Sequence, residues 1–399
     1  MIPQPQPLSA QNLSSSDVFR HALDAAERYA SEVDRDARFP VEAMDALRSA
    51  GALGWGVPCE YGGAGVQIKE LSEATLELSR RCAATGMIFA MHQIQVACIA
   101  RHCQDSGWFG DYLRRLVREQ RLIASATSEI GVGGDIRRSI AAIAKAENSN
   151  GSGLLQFEKK ASTISYGAHA DDLLTTVRRS PEADQGDQVL VLTHRSEMKM
   201  EQTGDWDTLG MRGTCSPGFL VRARCGPGQV LPVPFAAIAA ETMVPFSHIL
   251  WAHVWLGLST DAFHRAQNWV RGQARQNTGT TPPAALRLSE LSAHMAQFRA
   301  IVAASLNEYA AIADEENRAK LSTVGYAVRI NNLKIAASEA AAGACERALK
   351  VCGVAGYKNN GPYSVGRHLR DAHSAALMIA NDRLIATNAA LLLVHREAK

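Results

Sequence analysis

The chain has 399 residues, with 42 Lys or Arg against 40 Asp or Glu, so its formal charge at pH 7 is +2. A length of this order predicts two or three domains, each with its own core. The balanced and scattered charge excludes the basic footprint of a nucleic-acid-binding protein and a polybasic membrane patch. We expect neither a nucleic-acid nor a membrane partner.

The N-terminal stretch MIPQPQPLSAQNLSSSD lacks the basic start and apolar centre of a signal peptide. No window offers the roughly 20 unbroken apolar residues that a spanning helix requires. Eight cysteines are dispersed without a C-x-x-C pair, which argues against a zinc site or a redox dithiol. We therefore expect a cytoplasmic protein with no metal site and with most cysteines buried as small apolar side chains.

Three regions follow one another along the chain. From about Val18 to Glu119, apolar residues recur at spacings of three and four, which predicts helices. Between about Leu122 and Pro234, short runs such as DQVLVLTH and FLVRARC are bounded by Gly, Pro and Asp, which predicts strands. After about Phe235 the helical spacing returns, with many small residues that favour close helix packing.

This order predicts an α+β fold that is mainly α. We predict an N-terminal helical domain at residues 1–121, a central small β-domain at 122–235 and a C-terminal four-helix bundle at 236–399. No G-x-G-x-x-G or P-loop sequence is present, so the order does not indicate a doubly wound nucleotide-binding fold.

Five separated segments carry a resemblance to a known family. They are EYGGAG at 60–65, ATSEIGVGGD at 126–135, ISYGAHADD at 164–172, WDTLGMRGT at 206–214, and GVAGY with GRHLRDA at 353–372. In this order, and across nearly the whole chain, they resemble the acyl-CoA dehydrogenase superfamily. The resemblance implies a non-covalent FAD between the β-domain and the C-terminal bundle, in a homotetramer built as a dimer of dimers.

The resemblance also implies positions around the isoalloxazine ring and the phosphates of FAD. Thr127 and Ser128 would hydrogen-bond the pyrimidine edge of the ring, where reduction develops negative charge. Ser165 would lie near flavin N5. Gly133 and Gly134 would let backbone N–H groups approach phosphate closely, because glycine has no Cβ.

Two further positions would reach the FAD of a neighbouring subunit. Arg275 would meet its pyrophosphate with a planar guanidinium, and the turn from Gly353 to Gly356 would lie along its adenosine portion. Taken alone, Arg275 is better explained as a solvated helix residue, and GVGGD as a turn. Their joint occurrence in the order of the family favours the cofactor roles.

The usual catalytic glutamates of this family are missing. Most members place the base several residues beyond R-D-A, and the matching position here is Ile379. A second branch places it in an E-R pair on an earlier helix, where this chain has Ser247 and His248. The indole that lies beside the flavin in the family is replaced by Thr163.

Three residues are candidates for a replacement base, and two of them have an alternative interpretation. Asp382 lies three positions beyond Ile379, but also suits a solvent-facing helix cap. His92 falls on a helix that borders the acyl pocket in relatives, but also suits a core histidine bonded to backbone. His248 is the third candidate. Arg212 and Arg383 are further positive side chains expected near the site, with a purely structural role as the alternative for each.

The resemblance implies α,β-dehydrogenation of an acyl thioester carried by CoA or an acyl carrier protein. Hydride would pass to flavin N5, and the electrons to a partner flavoprotein or to oxygen. A two-component flavin-dependent monooxygenase of the same fold is the alternative, with His92 and His373 as candidate proton donors. A non-catalytic binding relative is a third possibility.

Overall fold

The computed structural model describes residues 17–146, 153–276, 279–313 and 317–395. Most of the N-terminal lead discussed above, residues 1–16, lies outside this part of the chain. Helices, then strands, then helices follow one another along the described chain, which confirms the predicted fold class. Element types change between Glu119 and Ile123 and between Cys225 and Phe235. The exact domain limits stay a prediction.

Five helices form the N-terminal region. They are α1 (Asp17–Arg35), α2 (Val41–Ser49), α3 (Ile68–Arg81), α4 (Ala83–His102) and α5 (Gly107–Glu119). The buried residues of α1, from Phe19 to Val33, recur every three or four positions, so this helix presents one apolar stripe to the core. In contrast, α4 is buried on nearly all sides and forms the centre of the region.

Within the described residues, seven short strands form two small sheets. They are β1 (Ile123–Ala126), β2 (Ala144–Lys145), β3 (Leu155–Ala161), β4 (Asp172–Arg178), β5 (Gln188–His194), β6 (Met198–Gln202) and β7 (Phe219–Cys225). The first sheet has the order β1-β4-β5, with β1 parallel to β4, and the second has the antiparallel order β2-β3-β7-β6. In β7, the predicted FLVRARC strand, every second residue from Phe219 is buried, as its alternation indicates.

The remaining helices form the C-terminal region. They are α6 (Phe235–Ile238), α7 (Val244–Gln276), α8 (Ala284–Ile312), α9 (Val324–Cys352), α10 (Val354–Tyr357), α11 (Gly366–His373) and α12 (Asn381–Leu392). A π-helical turn, Ala239–Met243, joins α6 to α7 without a break. The bundle consists of α7, α8, α9 and α12, with α9 in contact with the other three.

The first half of α7 lies between the N-terminal helices and α9. Its close approach to α3 requires a glycine, because a Cβ on Gly257 would lie 2.5 Å from the carbonyl oxygen of Leu76. By length and composition alone, the helices at 83–102 and 235–276 could span a membrane, but 89% and 72% of their most apolar windows are buried inside the fold. Burial of this extent is typical of core helices.

All eight cysteines are free thiols, and all but Cys59 and Cys215 are buried. The expectation that most of them act as small apolar core residues is therefore confirmed.

Candidate functional site

A cavity of about 540 Å³ lies between the β-domain and the C-terminal helices. Its walls come from the loop after β1, the end of the loop before β5, the helix that starts at Phe235, α9 and α12. Most lining side chains are apolar; they include Phe235, Ala239, Val244, Ile330, Ile379 and Leu384. A mostly apolar cavity of this size, with a few polar groups, is typical of small-molecule sites.

The π-helical turn contributes one side of this cavity through Ala239 and Ala240. The turn contains one more residue than an α-helical turn, and such turns are frequent at functional sites. Because both residues have small side chains, the helix leaves space where larger residues would fill the cavity.

Ile379 lines the cavity at the position where most family members carry the glutamate. Its φ of +50° is left-handed, which is a strained conformation for a β-branched residue. The ammonium group of Lys334 donates hydrogen bonds to the carbonyl oxygen of Ile379 (2.7 Å) and to Asn381 Oδ1 (2.8 Å). Lys334 is fully buried, and burial lowers its pKa to about 8. Lys334 therefore holds the strained turn that forms this wall.

His248 lines the same cavity from α7, so the structure brings both vacant glutamate positions together. Its Nδ1 lies 3.0 Å from the carbonyl oxygen of Ile330, and Nε2 has no hydrogen-bond partner among the described residues. Burial lowers the pKa of His248 to about 4, with a smaller effect in the same direction from nearby Lys334. The ring is therefore neutral at pH 7, with a proton on Nδ1 and an acceptor lone pair on Nε2.

Two arginines and one carboxylate lie at the loop side of the cavity. Asp135 accepts hydrogen bonds from the Arg137 side chain (3.0 Å) and backbone (3.1 Å). Burial acts to raise the pKa of Asp135, but these bonds outweigh it and the pKa lies below its ordinary value. Arg383, from α12, donates a hydrogen bond to the carbonyl oxygen of Gly133. Asp135 is the one carboxylate among the described residues that line this cavity.

A group of hydroxyl side chains lies in the segments that follow β1 and β3 and precede β7. Ser128 Oγ donates to the carbonyl oxygen of Thr163 (2.7 Å) and accepts from its backbone N–H (3.2 Å). Ser216 Oγ donates to Ser165 Oγ (2.9 Å), and Thr214 Oγ1 lies 2.9 Å from Ser216 Oγ. Thr163 is exposed, while Thr127, Ser128 and Ser165 are half-buried. These hydroxyls form a polar surface beside the loop that enters the cavity.

The backbone beside this hydroxyl group is strained. Tyr166, Met211 and Cys215 all have φ between +43° and +53°. The N–H of Tyr166 is held by the carbonyl oxygen of Thr214 at 2.7 Å. Strained non-glycine residues cluster at ligand sites, where the surrounding structure fixes them.

A buried ion pair holds the loop that carries these groups. Glu129 lies 3.2 Å from Lys159 Nζ and accepts hydrogen bonds from the Ser139 hydroxyl (2.7 Å) and the Ala141 N–H (2.7 Å). Glu129 and Lys159 are both nearly inaccessible to solvent. The carboxylate therefore fixes the start of the GVGGD loop against the β-domain.

The residues present fit a flavin. The backbone N–H groups of Gly133 and Gly134 have no hydrogen-bond partner within the described chain, and both residues have positive φ. A Cβ on Gly133 would meet nothing within 4 Å, whereas one on Gly134 would lie 2.9 Å from the Arg383 guanidinium, so the room for a group to approach the backbone is at Gly133. Together with the hydroxyls, these donors suit the polar edge and the phosphate of a flavin.

The other two predicted bases lie away from the cavity lining. His92 is fully buried, with Nε2 2.8 Å from the carbonyl oxygen of Leu53 and Nδ1 accepting from the backbone N–H of Ile123 (3.1 Å). Burial lowers the pKa of His92 to about 4. Both ring nitrogens are occupied, so the geometry favours the core-histidine interpretation. Asp382 is exposed on the first turn of α12, and His373 is exposed on α11.

Arg275 and the Gly353–Gly356 turn lie at the surface. Arg275 is exposed in the last turn of α7, and its guanidinium contacts no acceptor within the described ranges. Gly353 is exposed with φ +57°, whereas Gly356 is buried against Cys352. Arg275 and Gly353 are accessible to a second chain, whereas Gly356 is not, and the cofactor roles of all three stay predictions. Arg212 pairs with Asp207 (2.8 Å) and does not line the cavity.

Sequence reasoning missed Lys334 and Asn331. Both are buried on α9, and Asn331 lines the cavity beside Ile330. Asn331, Lys334 and Ser338 follow at steps of three and four in RINNLKIAAS, which places three polar side chains on one face of the helix next to the apolar stripe. This spacing could have identified these residues from the sequence.

Comparison with known proteins gives relatives along most of the chain. The dibenzothiophene monooxygenase of Rhodococcus erythropolis is 23% identical over 301 residues, which are 69% of this chain and 67% of that protein. The amino sugar nitrososynthase DnmZ of Streptomyces peucetius is 23% identical over 384 residues, covering 91% and 88%. The FMN-bound structure of TdsC from Paenibacillus sp. A11-2 superposes with a TM-score of 0.78 and 21% identity, covering 96% and 98%.

Two family profiles match separate parts of the sequence. The profile for the acyl-CoA dehydrogenase N-terminal domain matches residues 11–108, and a profile for the acyl-CoA dehydrogenase C-terminal domain matches residues 249–383. Together they cover more than half of the chain and agree with the order of the observed elements. The chain therefore belongs to the acyl-CoA dehydrogenase superfamily.

Proposed function

We propose that this protein is a flavin-dependent monooxygenase that oxidises a small, mostly apolar molecule. The proposal rests on the identity of the side chains that line the cavity. Ile379 and His248 occupy the two positions at which relatives place a glutamate, and both line one cavity. Its single described carboxylate, Asp135, is held by Arg137.

Dehydrogenation of an acyl thioester, the first expectation from the sequence, needs a base for the α-proton. A positioned base contributes roughly 10²–10⁴-fold in rate, so its loss requires a replacement. His248 is the one predicted base that lines the cavity. Burial disfavours the imidazolium that it would have to become, because it lowers the pKa to about 4. Oxygenation does not require removal of an α-proton.

The similarity to known proteins supports the same choice. The dibenzothiophene monooxygenase and the nitrososynthase align with most of this chain. A short-chain acyl-CoA dehydrogenase of Clostridium acetobutylicum is 29% identical over only 31% of it. These alignments therefore favour two-component monooxygenation over dehydrogenation. The experiment described below can detect either activity.

A reduced flavin, when bound, would supply the two electrons with which O₂ gives one oxygen atom to the substrate and the other to water. We propose that Thr127, Ser128 and Ser165, with the N–H groups of Gly133 and Gly134, hold this flavin. The apolar wall excludes water, and His248 orients the substrate through Nε2.

We also propose a complex of several copies of this chain. Arg275 and Gly353, at the start of the turn to Gly356, would contact the flavin of a second copy, because both are exposed and Arg275 contacts no acceptor in the part of the chain described. FAD is the cofactor that the resemblance implies, while the TdsC neighbour holds FMN. A titration with each flavin decides between them.

The proposal is tested with purified protein under two conditions. First, bound oxidised flavin is mixed anaerobically with a panel of acyl-CoAs and its absorbance is followed. Second, the protein is supplied with a flavin reductase, NADH, ¹⁸O₂ and apolar ring compounds, and products are analysed by mass spectrometry. We expect no bleaching in the first condition and one ¹⁸O atom in a product of the second. Bleaching by an acyl-CoA without oxygen incorporation would establish the dehydrogenase instead.

A further inference from the structure

We infer that the substrate is a mostly apolar ring compound that carries an uncharged N–H or O–H donor, which His248 and Asn331 recognise. The inference rests on the proposed function, because it concerns the same cavity. It goes further by stating which hydrogen-bonding character the substrate must have.

The imidazole of His248 presents an acceptor to the cavity. The carbonyl oxygen of Ile330 can only accept, so the proton of the neutral ring lies on Nδ1, which donates to it at 3.0 Å. Nε2 is therefore left with a lone pair and no partner in the described ranges. A ligand group that meets Nε2 has to be a donor.

The amide of Asn331 is oriented by a chain of hydrogen bonds that ends on backbone. Asn388 Nδ2 donates to the carbonyl oxygen of Val328 (3.4 Å) and to Asn332 Oδ1 (2.9 Å). Asn388 Oδ1 is therefore the acceptor for Asn331 Nδ2, at 2.9 Å. Asn331 Oδ1 remains without a partner among the residues described, so this amide also offers an acceptor.

Gln188 also has an amide oxygen without a hydrogen-bond partner in the described chain. Gln188, which lines the cavity and is nearly fully buried, donates through Nε2 to the carbonyl oxygen of Ile136 (3.1 Å). Its Oε1, however, is itself shielded from solvent and cannot be reached by a ligand. His248 and Asn331 are therefore the two side chains that use their N–H groups on protein acceptors and present an acceptor to the cavity.

The donor of the substrate is expected to be neutral. An ammonium group would lose its hydration in the apolar cavity and would need a carboxylate in return. Asp135 is already held by Arg137, and Arg383 lies on the same side. A ring N–H or a hydroxyl group satisfies the acceptors without this cost.

A ligand without a donor displaces water from these acceptors and leaves them unpaired. A lost hydrogen bond of this kind corresponds to roughly ten- to hundred-fold in affinity. Sites that bond a substrate N–H or O–H reject analogues that lack it for the same reason.

The experiment compares matched rings on flavin-free protein. Indole, benzothiophene and 1-methylindole have the same fused bicyclic shape, but only indole carries an N–H donor. Dissociation constants are measured by ligand-observed NMR, so the readout does not depend on turnover. We expect indole to bind roughly ten- to hundred-fold more tightly than the other two. Equal binding, a preference for benzothiophene, or binding of none of the three would overturn the inference.

Two variants test whether residues that line the cavity cause the tighter binding of indole. His248→Phe should remove most of it, while the chain still folds because Ile330 lies inside α9 and its carbonyl also serves the helix. His253→Phe is the matched control, because His253 is buried on the same helix, donates to the Ile249 carbonyl oxygen and does not line the cavity. Asn331→Leu is a second test if His248→Phe is unfolded. A full indole preference in both His248→Phe and Asn331→Leu would refute the assignment.

Failure of this inference can be distinguished from failure of the proposed function. Incorporation of ¹⁸O without any donor preference refutes only the inference. A clear indole preference without oxygen incorporation under any flavin refutes only the monooxygenase.

Discussion

Asp371 and Met211 are separated by 160 positions, yet the carboxylate of Asp371 accepts a 2.6 Å hydrogen bond from the backbone N–H of Met211. The adjacent Arg370 pairs with Asp34 at the end of α1, at 2.9 Å through Nη1. Arg212 donates to the carbonyl oxygen of the same Asp34 at 2.8 Å. Two of the recognised segments, WDTLGMRGT and GRHLRDA, therefore join the β-domain to helices of both ends of the chain.

Replacement of Asp371 by Asn should alter the pH dependence of stability. Burial raises the pKa of Asp371 from 3.8 to about 6, although the Met211 N–H acts in the opposite direction. The folded state therefore binds this proton more tightly than the unfolded state. The resulting stabilisation is full below about pH 3.8 and is lost as the pH rises through about 6.

Asn keeps the acceptor for Met211 and carries no charge. We expect Asp371→Asn to gain roughly 1–2 kcal/mol relative to wild type between pH 5 and pH 8. Urea unfolding of the flavin-free protein at both pH values measures this difference. Asp382→Asn, an exposed carboxyl on α12, is the control and should follow wild type. Parallel curves for Asp371→Asn and wild type would show that Asp371 is ionised in the fold at pH 5.

His92 should prove to be a structural residue. It joins the Leu53 carbonyl oxygen to the Ile123 N–H, which connects the turn after α2 to β1. His92→Ala leaves both backbone groups unpaired and should cost roughly 2–5 kcal/mol, whereas Gln offers a donor and an acceptor and should cost less. Thermal unfolding and the rate per folded molecule are measured together. A large loss of rate in a fully folded His92→Gln variant would restore the catalytic interpretation.

The pKa of His92 adds a test in acid. Burial lowers this pKa to about 4, so the unfolded chain binds more protons than the fold as the pH falls from about 6.5 towards 4. Stability supplied by the neutral ring is therefore lost over that interval. The loss should be smaller in His92→Gln than in wild type, and an equal loss would indicate that the ring is charged in the fold.

The helices and strands could be predicted from the sequence because the hydrophobic patterns that indicate them are local. In FLVRARC, alternation alone indicates a strand, and Phe219, Val221, Ala223 and Cys225 are the buried residues of β7. The cavity was not predictable in the same way, since its walls come from segments more than 200 positions apart. Their meeting depends on how the β-domain packs against α7, α9 and α12.

The hydrogen-bond partners of individual side chains could not be predicted from the sequence either. His92 and His248 are both histidines on apolar helices. Only the structure shows that His92 has both ring nitrogens hydrogen-bonded, whereas Nε2 of His248 has no partner among the described residues. The sequence shows that Ile379 replaces the glutamate expected after R-D-A. It does not show the left-handed conformation of Ile379 or its hydrogen bond with Lys334. A hydrogen bond between positions 45 residues apart has no local pattern.

Lys334 should control the shape of the cavity through Ile379. Lys334→Met removes the donors to the Ile379 carbonyl oxygen and to Asn381, while it preserves the length of the side chain. The strained turn should then relax, because its conformation is unfavourable for a β-branched residue. We expect a loss of roughly 1–3 kcal/mol in stability and a several-fold weaker affinity for the ring ligand.

Lys350→Met is the matched control for this change, because Lys350 is exposed on the same helix. Urea unfolding and ligand-observed NMR are run on both variants. Unchanged ligand affinity in a destabilised Lys334→Met protein would limit Lys334 to a role in the fold.

Arg275 should contribute to flavin binding only in an assembly of several copies. Its side chain is exposed at the end of α7 and contacts no acceptor within the described residues, so Arg275→Ala should leave the unfolding temperature of the flavin-free protein unchanged. If the guanidinium bonds a flavin phosphate across copies, its removal should weaken flavin binding by roughly ten- to hundred-fold. Arg271→Ala, exposed on the same helix, is the control. Flavin titration of both variants, with the oligomeric state followed by light scattering, separates a phosphate contact from a solvated helix residue, because the latter predicts equal affinities.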